Sequence, residues 1–242
     1  MPVRQLILVR HGESEGNTVA AAAEDAGDLR IAVPARDADV VLSDLGRSQA
    51  ASLGRRLATL EGDDRPDVLW VSTYRRARET AEIALAAAGL ELPQRVDDRL
   101  RDRELGILDT LTSHGVAQLH PDEAERRRFL GKYYYRPPGG ESWADVALRL
   151  RSVLADLEAT ADGTVLVVTH DAVVTLFRSV LEHIEELDLL EQARRFPVPN
   201  TSVTRLMRRA DGGWDEIEYN DVRHLEPERV TEHPGEDDGT RP

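Results

Sequence analysis

The chain contains no cysteine. That removes disulfides, thiolate metal sites and thiol catalysis together, and it fits a reducing compartment. No apolar run approaches the roughly 20 residues that span a bilayer. The N-terminus enters a strand-like run at Gln5–Val9 with no charged leader or small-residue cleavage site, so a cytoplasmic location is expected. Basic residues are outnumbered, 31 Lys and Arg against 45 Asp and Glu, for a net charge of −14. Such a surface argues against nucleic acid or anionic membrane as a main partner. There is no internal repeat, and none of the seven histidines stands at a spacing typical of zinc ligands, so neither metal nor cofactor is expected.

What is present suits one large α/β domain: 242 residues, 40% of them hydrophobic. Leu6–Val9, Val68–Ser72 and Val165–Thr169 are short, β-branched runs of the kind that form buried strands. Between them lie helical patterns. Ser43 caps a helix through Leu60, another runs from near Tyr74 to Ala88, Ser142 caps a third, a fourth follows Asp171, and Glu185–Arg195 makes a fifth. Ser202–Met207 and Trp214–Tyr219 flank Asp211-Gly212-Gly213 as a hairpin. The alternation predicts three layers: a mainly parallel sheet with helices on both faces and an antiparallel edge. Ala20–Val40 and Ser113–Gly139 fit this scheme poorly and are expected to be insertions over one end of the sheet. The domain is expected to end near residue 225, and the acidic, Pro- and Gly-containing stretch from Glu226 to be disordered.

Chemistry concentrates where strands end. The first strand runs into Arg10-His11-Gly12-Glu13-Ser14-Glu15-Gly16-Asn17, and Val165–Thr169 runs into His170. Ligands of open α/β sheets bind beyond the carboxyl ends of strands, so two histidines would share a pocket if their strands are neighbours. Val68–Ser72 leads to Arg75-Arg76. A neutral imidazole is a nucleophile at physiological pH, and arginines match phosphoryl oxygens with planar, fixed donors. An acidic protein that binds a phosphate ester must concentrate positive potential in one such pocket.

The stretch LVRHGESEGN resembles the signature of the histidine phosphatase superfamily, which includes phosphoglycerate mutases and fructose-2,6-bisphosphatases. LSDLGRSQA (Leu42–Ala50), STYRRARETA (Ser72–Ala81), LRDRELG (Leu100–Gly106), GES (Gly140–Ser142) and VLVVTHDAV (Val165–Val173) follow in the family's order, from about Leu6 to Leu181. The resemblance implies a phosphoglycerate mutase-like fold and a phosphohistidine on His11. It places Arg10, Asn17, Arg76 and His170 around the transferred phosphoryl group, and Ser14 in the lining of its pocket. For the general acid the family has Glu four residues before the glycine matching Gly106; here that position is Asp102. Glu104 and Asp171 are the other candidates. A carboxylate beside phosphate is expected to have a raised pKa and so to serve as a proton donor.

GKYYYRPPGGESWADVALRL (Gly131–Leu150) is similar to a segment of fructose-2,6-bisphosphatases. That similarity implies substrate contacts from Lys132, Tyr133 and Arg136, with Arg127 or Arg128 nearby. Other positions depart from that branch: its tyrosine, glutamine and arginine fall on Ser113, Asp171 and Thr175. The expected activity is hydrolysis of a small phosphorylated metabolite, with mutase-type transfer as the alternative. Gly12-Glu13-Ser14-Glu15-Gly16 also satisfies the G-x-S-x-G pattern of serine hydrolases. A Ser14 esterase would leave Arg10 and Arg76 without purpose.

Overall fold

The computed structural model describes residues 3–33 and 36–232. A six-stranded sheet in the order β3-β2-β4-β1-β5-β6 forms the middle layer. β1 (Val3–Arg10), β2 (Val68–Ser72), β3 (Gln94–Asp97) and β4 (Gly163–Thr169) run parallel, and the hairpin of β5 (Val203–Arg208) and β6 (Trp214–Asp221) adds the antiparallel edge. This is the three-layer arrangement the strand and helix patterns predict.

The period-2 alternation of the strands sorts their side chains between two cores. On one face Leu6, Leu8, Val165 and Val167 pack against α6 (Trp143–Thr160) and α7 (Asp171–Glu182) through Val146, Leu150, Val153 and Phe177. On the other, Ile7, Val9, Leu166 and Val168 meet α2 (Asp44–Leu57) and α3 (Arg75–Ala88) through Leu53, Leu57, Ala77 and Ala81. Each such leucine contributes about 1.5–3 kcal/mol on full burial. The helices start where capping chemistry allows. Ser43 accepts from the Gly46 N–H, and Ser142 forms a reciprocal capping box with Asp145.

Several elements differ from the sequence expectation. β3 is a polar edge strand, Gln-Arg-Val-Asp, that buries only Asp97 and so has no apolar signature. The segment expected to be an insertion from Ala20 begins inside α1 (Glu15–Ala26), a helix the pattern does not announce. That helix is rich in alanine, buries only Ala23 and therefore shows little periodicity. Ser113–Gly139 likewise holds α4 (Ser113–Leu119) and α5 (Pro121–Tyr134), and α5 buries no residue. Gly131 breaks α5 with φ +76°, a conformation side-chain-bearing residues resist, and redirects the chain toward α6. α8 (Glu186–Arg195) matches the fifth predicted helix. Among the described residues no helix is long and apolar enough to cross a membrane.

The segment after Glu226 departs from the disorder expected of it. Pro227–Arg229 forms a 3-10 turn, and the chain through Thr231 is hydrogen-bonded to Gln49 and Asn200 beside the first strand's exit loop. Gln49, fully buried, accepts from the Glu13 N–H (2.8 Å) and donates to the Arg229 carbonyl (2.8 Å) and the Thr231 hydroxyl (2.9 Å). Thr231 also bonds Asn200, whose Nδ2 holds the His11 carbonyl at 2.9 Å. Local composition predicts solvation, but tertiary hydrogen bonds fix this strap. The remainder of the predicted tail, from residue 233, lies outside the described residues. Gln49→Ala strands the Glu13 N–H, the Arg229 carbonyl and the Thr231 hydroxyl and is expected to cost about 1–3 kcal/mol, read as a lower urea midpoint at unchanged m-value.

Candidate active site

The register of β1 with β4 brings the two histidines together. Arg10 lies opposite Thr169, and the His11 N–H bonds the Thr169 carbonyl at 2.8 Å, so His11 and His170 leave adjacent strand ends side by side. Their ring centroids are 5.1 Å apart, at 63°. β2 ends next to β4 and delivers Ser72, then Tyr74, then Arg76 in the first turn of α3. Asp102 arrives on the loop after the 3-10 turn Asp98–Leu100. Two bonds seat that loop: Thr169 Oγ1 to the Leu100 carbonyl (2.8 Å) and Arg149 Nη2 to the Asp102 carbonyl (3.1 Å).

The exit loop of β1 is packed too tightly for side chains at two points. A Cβ on Gly12 would stand 2.6 Å from the Gly46 carbonyl oxygen, and one on Gly46 would stand 1.9 Å from that of Glu13. The N-terminus of α2 therefore sits directly on the loop that carries His11. Thr201, held at φ 56°, pins the other side through its N–H to the carbonyls of Arg10 (3.0 Å) and His11 (3.3 Å).

His11 Nδ1 is 2.7 Å from the Gly12 carbonyl, an acceptor only, so Nδ1 carries the proton and Nε2 presents a lone pair. Arg76 Nε donates to that lone pair at 3.2 Å. Burial, then Arg76, His170 and Arg10, push the imidazole pKa well below the ordinary 6.5, so the ring is a neutral base. Ser72 Oγ accepts from the Tyr74 N–H (3.2 Å) and lies 2.9 Å from His170 Nε2. The Asp102 carboxylate, an acceptor only, faces Nδ1 and favours the His170 proton there. Nδ1 lies 3.3 Å from Asp102 Oδ2, too poorly aligned for a hydrogen bond. His170 Nδ1 and Arg10 Nε are buried donors with no aligned acceptor among the described residues. Arg10 is otherwise held to the Val198 carbonyl. Buried donors of this kind are complementary to an oxyanion.

Asp102 takes Arg76 Nη2 on Oδ2 (3.1 Å) and the Arg103 N–H on Oδ1 (2.9 Å). Burial works to raise its pKa, but His170 and Arg76 outweigh burial and hold it well below the usual carboxylate range. The raised pKa expected of a proton donor is thus absent in the ligand-free site. Asp171, by contrast, is pushed up by burial against the pull of Arg10 and Lys132. Glu104 is half-exposed, bonded by the Tyr74 hydroxyl (3.0 Å) and paired with Arg101.

The other predicted residues divide. Ser14 and Asn17 form the capping box of α1: Ser14 Oγ accepts from the Asn17 N–H and donates to Asn17 Oδ1. The Ser14 hydroxyl is committed to that cap, which undercuts the serine-hydrolase alternative. Lys132 lies with its Nζ 4.8 Å over the Trp143 ring and within electrostatic range of Asp171, at the border of the site. Tyr133 packs on the core beneath α5. Arg136 is turned away, bound by Asp145 at the start of α6. Sequence reasoning did not single out Ser72, Thr80, Asn200 or Asp37. Thr80 accepts the Gly12 N–H (2.9 Å) from within STYRRARETA, so motif position could have found it. Asp37 sits in a stretch without periodicity.

His11, His170 and Asp102 also offer ligand atoms within 4.8 Å of one another, a grouping their sequence separation hides. Arg76 already bonds both His11 Nε2 and Asp102 Oδ2, so a guanidinium occupies the place a cation would take.

A family model described as histidine phosphatase superfamily (branch 1) matches residues 6–222. The chain belongs to the histidine phosphatase superfamily. Among curated relatives, a glucosyl-3-phosphoglycerate phosphatase of Mycobacterium tuberculosis is 31% identical over 191 residues, 75% of this chain and 76% of that protein. A 6-phosphofructo-2-kinase/fructose-2,6-bisphosphatase of Caenorhabditis elegans is 32% identical over 208 residues, 86% of this chain. The chain spans only 39% of that bifunctional protein's length. The structure of mycobacterial glucosyl-3-phosphoglycerate phosphatase with inorganic phosphate superposes with a TM-score of 0.70 at 26% identity, over 92% of this chain and 100% of that one. Bacillus stearothermophilus YhfR gives 0.71 at 29%, over 92% and 99%. The parallel β1/β4 pair with a histidine at each exit is thus set in a superfamily fold.

Because His11 is already neutral well above its own pKa, kcat/KM, corrected for ionisation of the substrate, should not fall as pH drops through 6.5. A loss of activity centred near 6.5 would assign an ordinary imidazole to this position.

Proposed function

We propose that the protein hydrolyses the phosphomonoester of a small metabolite through a phosphohistidine on His11. One observation carries this reading: a buried, neutral imidazole whose unprotonated nitrogen accepts from Arg76, with Arg10 and His170 donors beside it. An acyl-transfer enzyme has no use for buried cations at its nucleophile. A phosphoryl-transfer enzyme needs them, because charge on the equatorial oxygens must be matched as the bonds rearrange.

The His11 Nε2 lone pair, released as the Arg76 Nε–H turns to a phosphoryl oxygen, forms the N–P bond as the ester P–O bond breaks, and the electron pair leaves on the alcohol oxygen. Asp102 gives that oxygen a proton. In the second half, water attacks phosphorus, its proton returns to Asp102, and the N–P bond breaks to restore neutral His11. The Gly12 carbonyl stabilises the ring while it carries positive charge, and the His170 N–H and the two arginines hold the oxygens. Asp102 is ionised in the free site, so it must gain a proton as substrate binds. A phosphoryl group bound to the neighbouring donors adds like charge beside it, which raises its pKa against the pull of His170 and Arg76. A phosphomonoester with a second pKa near ~6 can bring the proton with it.

The leaving alcohol is assigned to the side bordered by Lys132 and the break in α5, where Asp171 and Trp143 also lie. Phosphorylated sugars and sugar acids are the substrate class that the names of both curated relatives suggest. Hydrolysis is favoured over mutase transfer because those relatives are named for phosphatase activity, and it requires no bisphosphorylated primer. A reducing, cytoplasmic setting is part of the same proposal, as is a single catalytic domain over residues 1–225, extended by the strap through Thr231 that is hydrogen-bonded to it.

Asp102→Asn should lower kcat by about 10²–10⁴-fold with KM within a few-fold, measured as free phosphate release from a panel of sugar phosphates. Near-normal turnover would move the proton donor to Glu104 or Asp171. Absence of free phosphate unless a bisphosphorylated primer is added would favour transfer.

A further inference from the structure

Arg76 has no unused donor. A guanidinium carries five N–H groups. Nε donates to His11 Nε2 (3.2 Å), Nη1 to the main-chain carbonyl of Asp37 (2.7 Å) and to its Oδ1 (2.8 Å), and Nη2 to Asp37 Oδ2 (3.2 Å) and Asp102 Oδ2 (3.1 Å). A phosphoryl group can reach this arginine only by displacing something. Two of the three Asp37 contacts, through Oδ1 and Oδ2, form a two-pronged carboxylate grip on the guanidinium edge, the same geometry a phosphoryl group uses, and the main-chain carbonyl adds the third.

We propose that Asp37 is a built-in stand-in for the phosphoryl group: it holds the Arg76 edge in the ligand-free site, is expelled by substrate, and returns to help expel inorganic phosphate. The inference rests on the phosphatase reading of the same site. Asp37 is the partner able to leave. Its side chain is 45% exposed, on the three-residue 3-10 turn Asp37–Asp39, held by the Asp39 N–H to Arg36 (2.8 Å) and Val40 N–H to Asp37 (3.3 Å) carbonyl bonds. Asp102, the other carboxylate on Arg76, is fixed by the Arg103 N–H and sits against His170, and His11 is buried. Departure of Asp37 returns one carboxylate to water and leaves Arg76 paired to the incoming dianion, so the buried cation is never without a counter-charge. The grip also sets a specificity rule. Every ligand must outcompete a carboxylate, which a phosphoryl dianion with three oxygens does and a carboxylate metabolite does not.

The test is inhibition by inorganic phosphate, with hydrogen exchange of the 37–40 turn as a second readout. Asp37→Asn keeps the shape but removes the competing charge, and it should lower the Ki for phosphate about tenfold, with KM falling alongside. In the wild-type protein, saturating phosphate should speed exchange of the Asp39 and Val40 amides, a change that a merely structural role of Asp37 would not produce. An unchanged or weakened Ki, or exchange that does not move with phosphate, overturns the proposal. If the wild-type protein forms phosphohistidine while the Asp37→Asn Ki stays put, only this inference fails. If the wild-type protein neither binds phosphate nor phosphorylates His11, the reading of the site fails and takes this inference with it.

Discussion

The hydrogen bond from His11 Nδ1 to the Gly12 carbonyl decides which ring nitrogen holds the proton, and with it which one faces the pocket. A bond between neighbouring residues would be a weak guarantee if the loop could move. It cannot move easily. Gly12 lies against Gly46 at a distance no side chain would allow, its N–H is taken by Thr80, and the His11 carbonyl is held by Asn200 and Thr201. The strap near Thr231 then locks Asn200 and Gln49 from behind. A large share of the buried polar network outside the sheet thus serves to hold one imidazole in one tautomer.

Charge is organised around the same ring. An excess of acidic residues over the whole chain coexists with two buried arginines at His11, and burial strengthens their effect on the imidazole. Each cation has acidic company: Arg10, held to the Val198 carbonyl, lies within electrostatic range of Asp171 and Asp102, and Arg76 is paired with Asp37 and Asp102. The arrangement resolves a conflict that any phosphate site in an acidic protein faces. Buried positive charge is costly when unpaired, yet it must be offered to an incoming dianion. Pairing Arg76 with a carboxylate on a half-exposed turn, as proposed for Asp37, meets both demands.

The strand skeleton was legible because burial on both faces forces continuous β-branched runs, and β1, β2 and β4 carry them. Those strands bear the residues whose motifs could be recognised, so the histidines and Arg76 could be named before their distances were known. What the sequence hid has a common physical cause. β3, α1 and α5 bury almost nothing apolar, so they leave no periodic trace, and their positions come from polar contacts made far away in the chain. Asp37 belongs to this group, since its importance lies in a bond to a residue 39 positions away. The strap after Glu226 is hidden for the same reason: its composition is that of a solvated tail, and the hydrogen bonds to Gln49 and Asn200 override composition. Arg136 shows the converse, a motif-supported residue that the fold spends on Asp145.

Nitrogen-resolved NMR of the His11 ring in the ligand-free protein addresses the central claim without relying on turnover. The account predicts a neutral imidazole with its proton on Nδ1, unchanged as pH is lowered through 6.5. A ring that titrates near 6.5, or one protonated on Nε2, would contradict it.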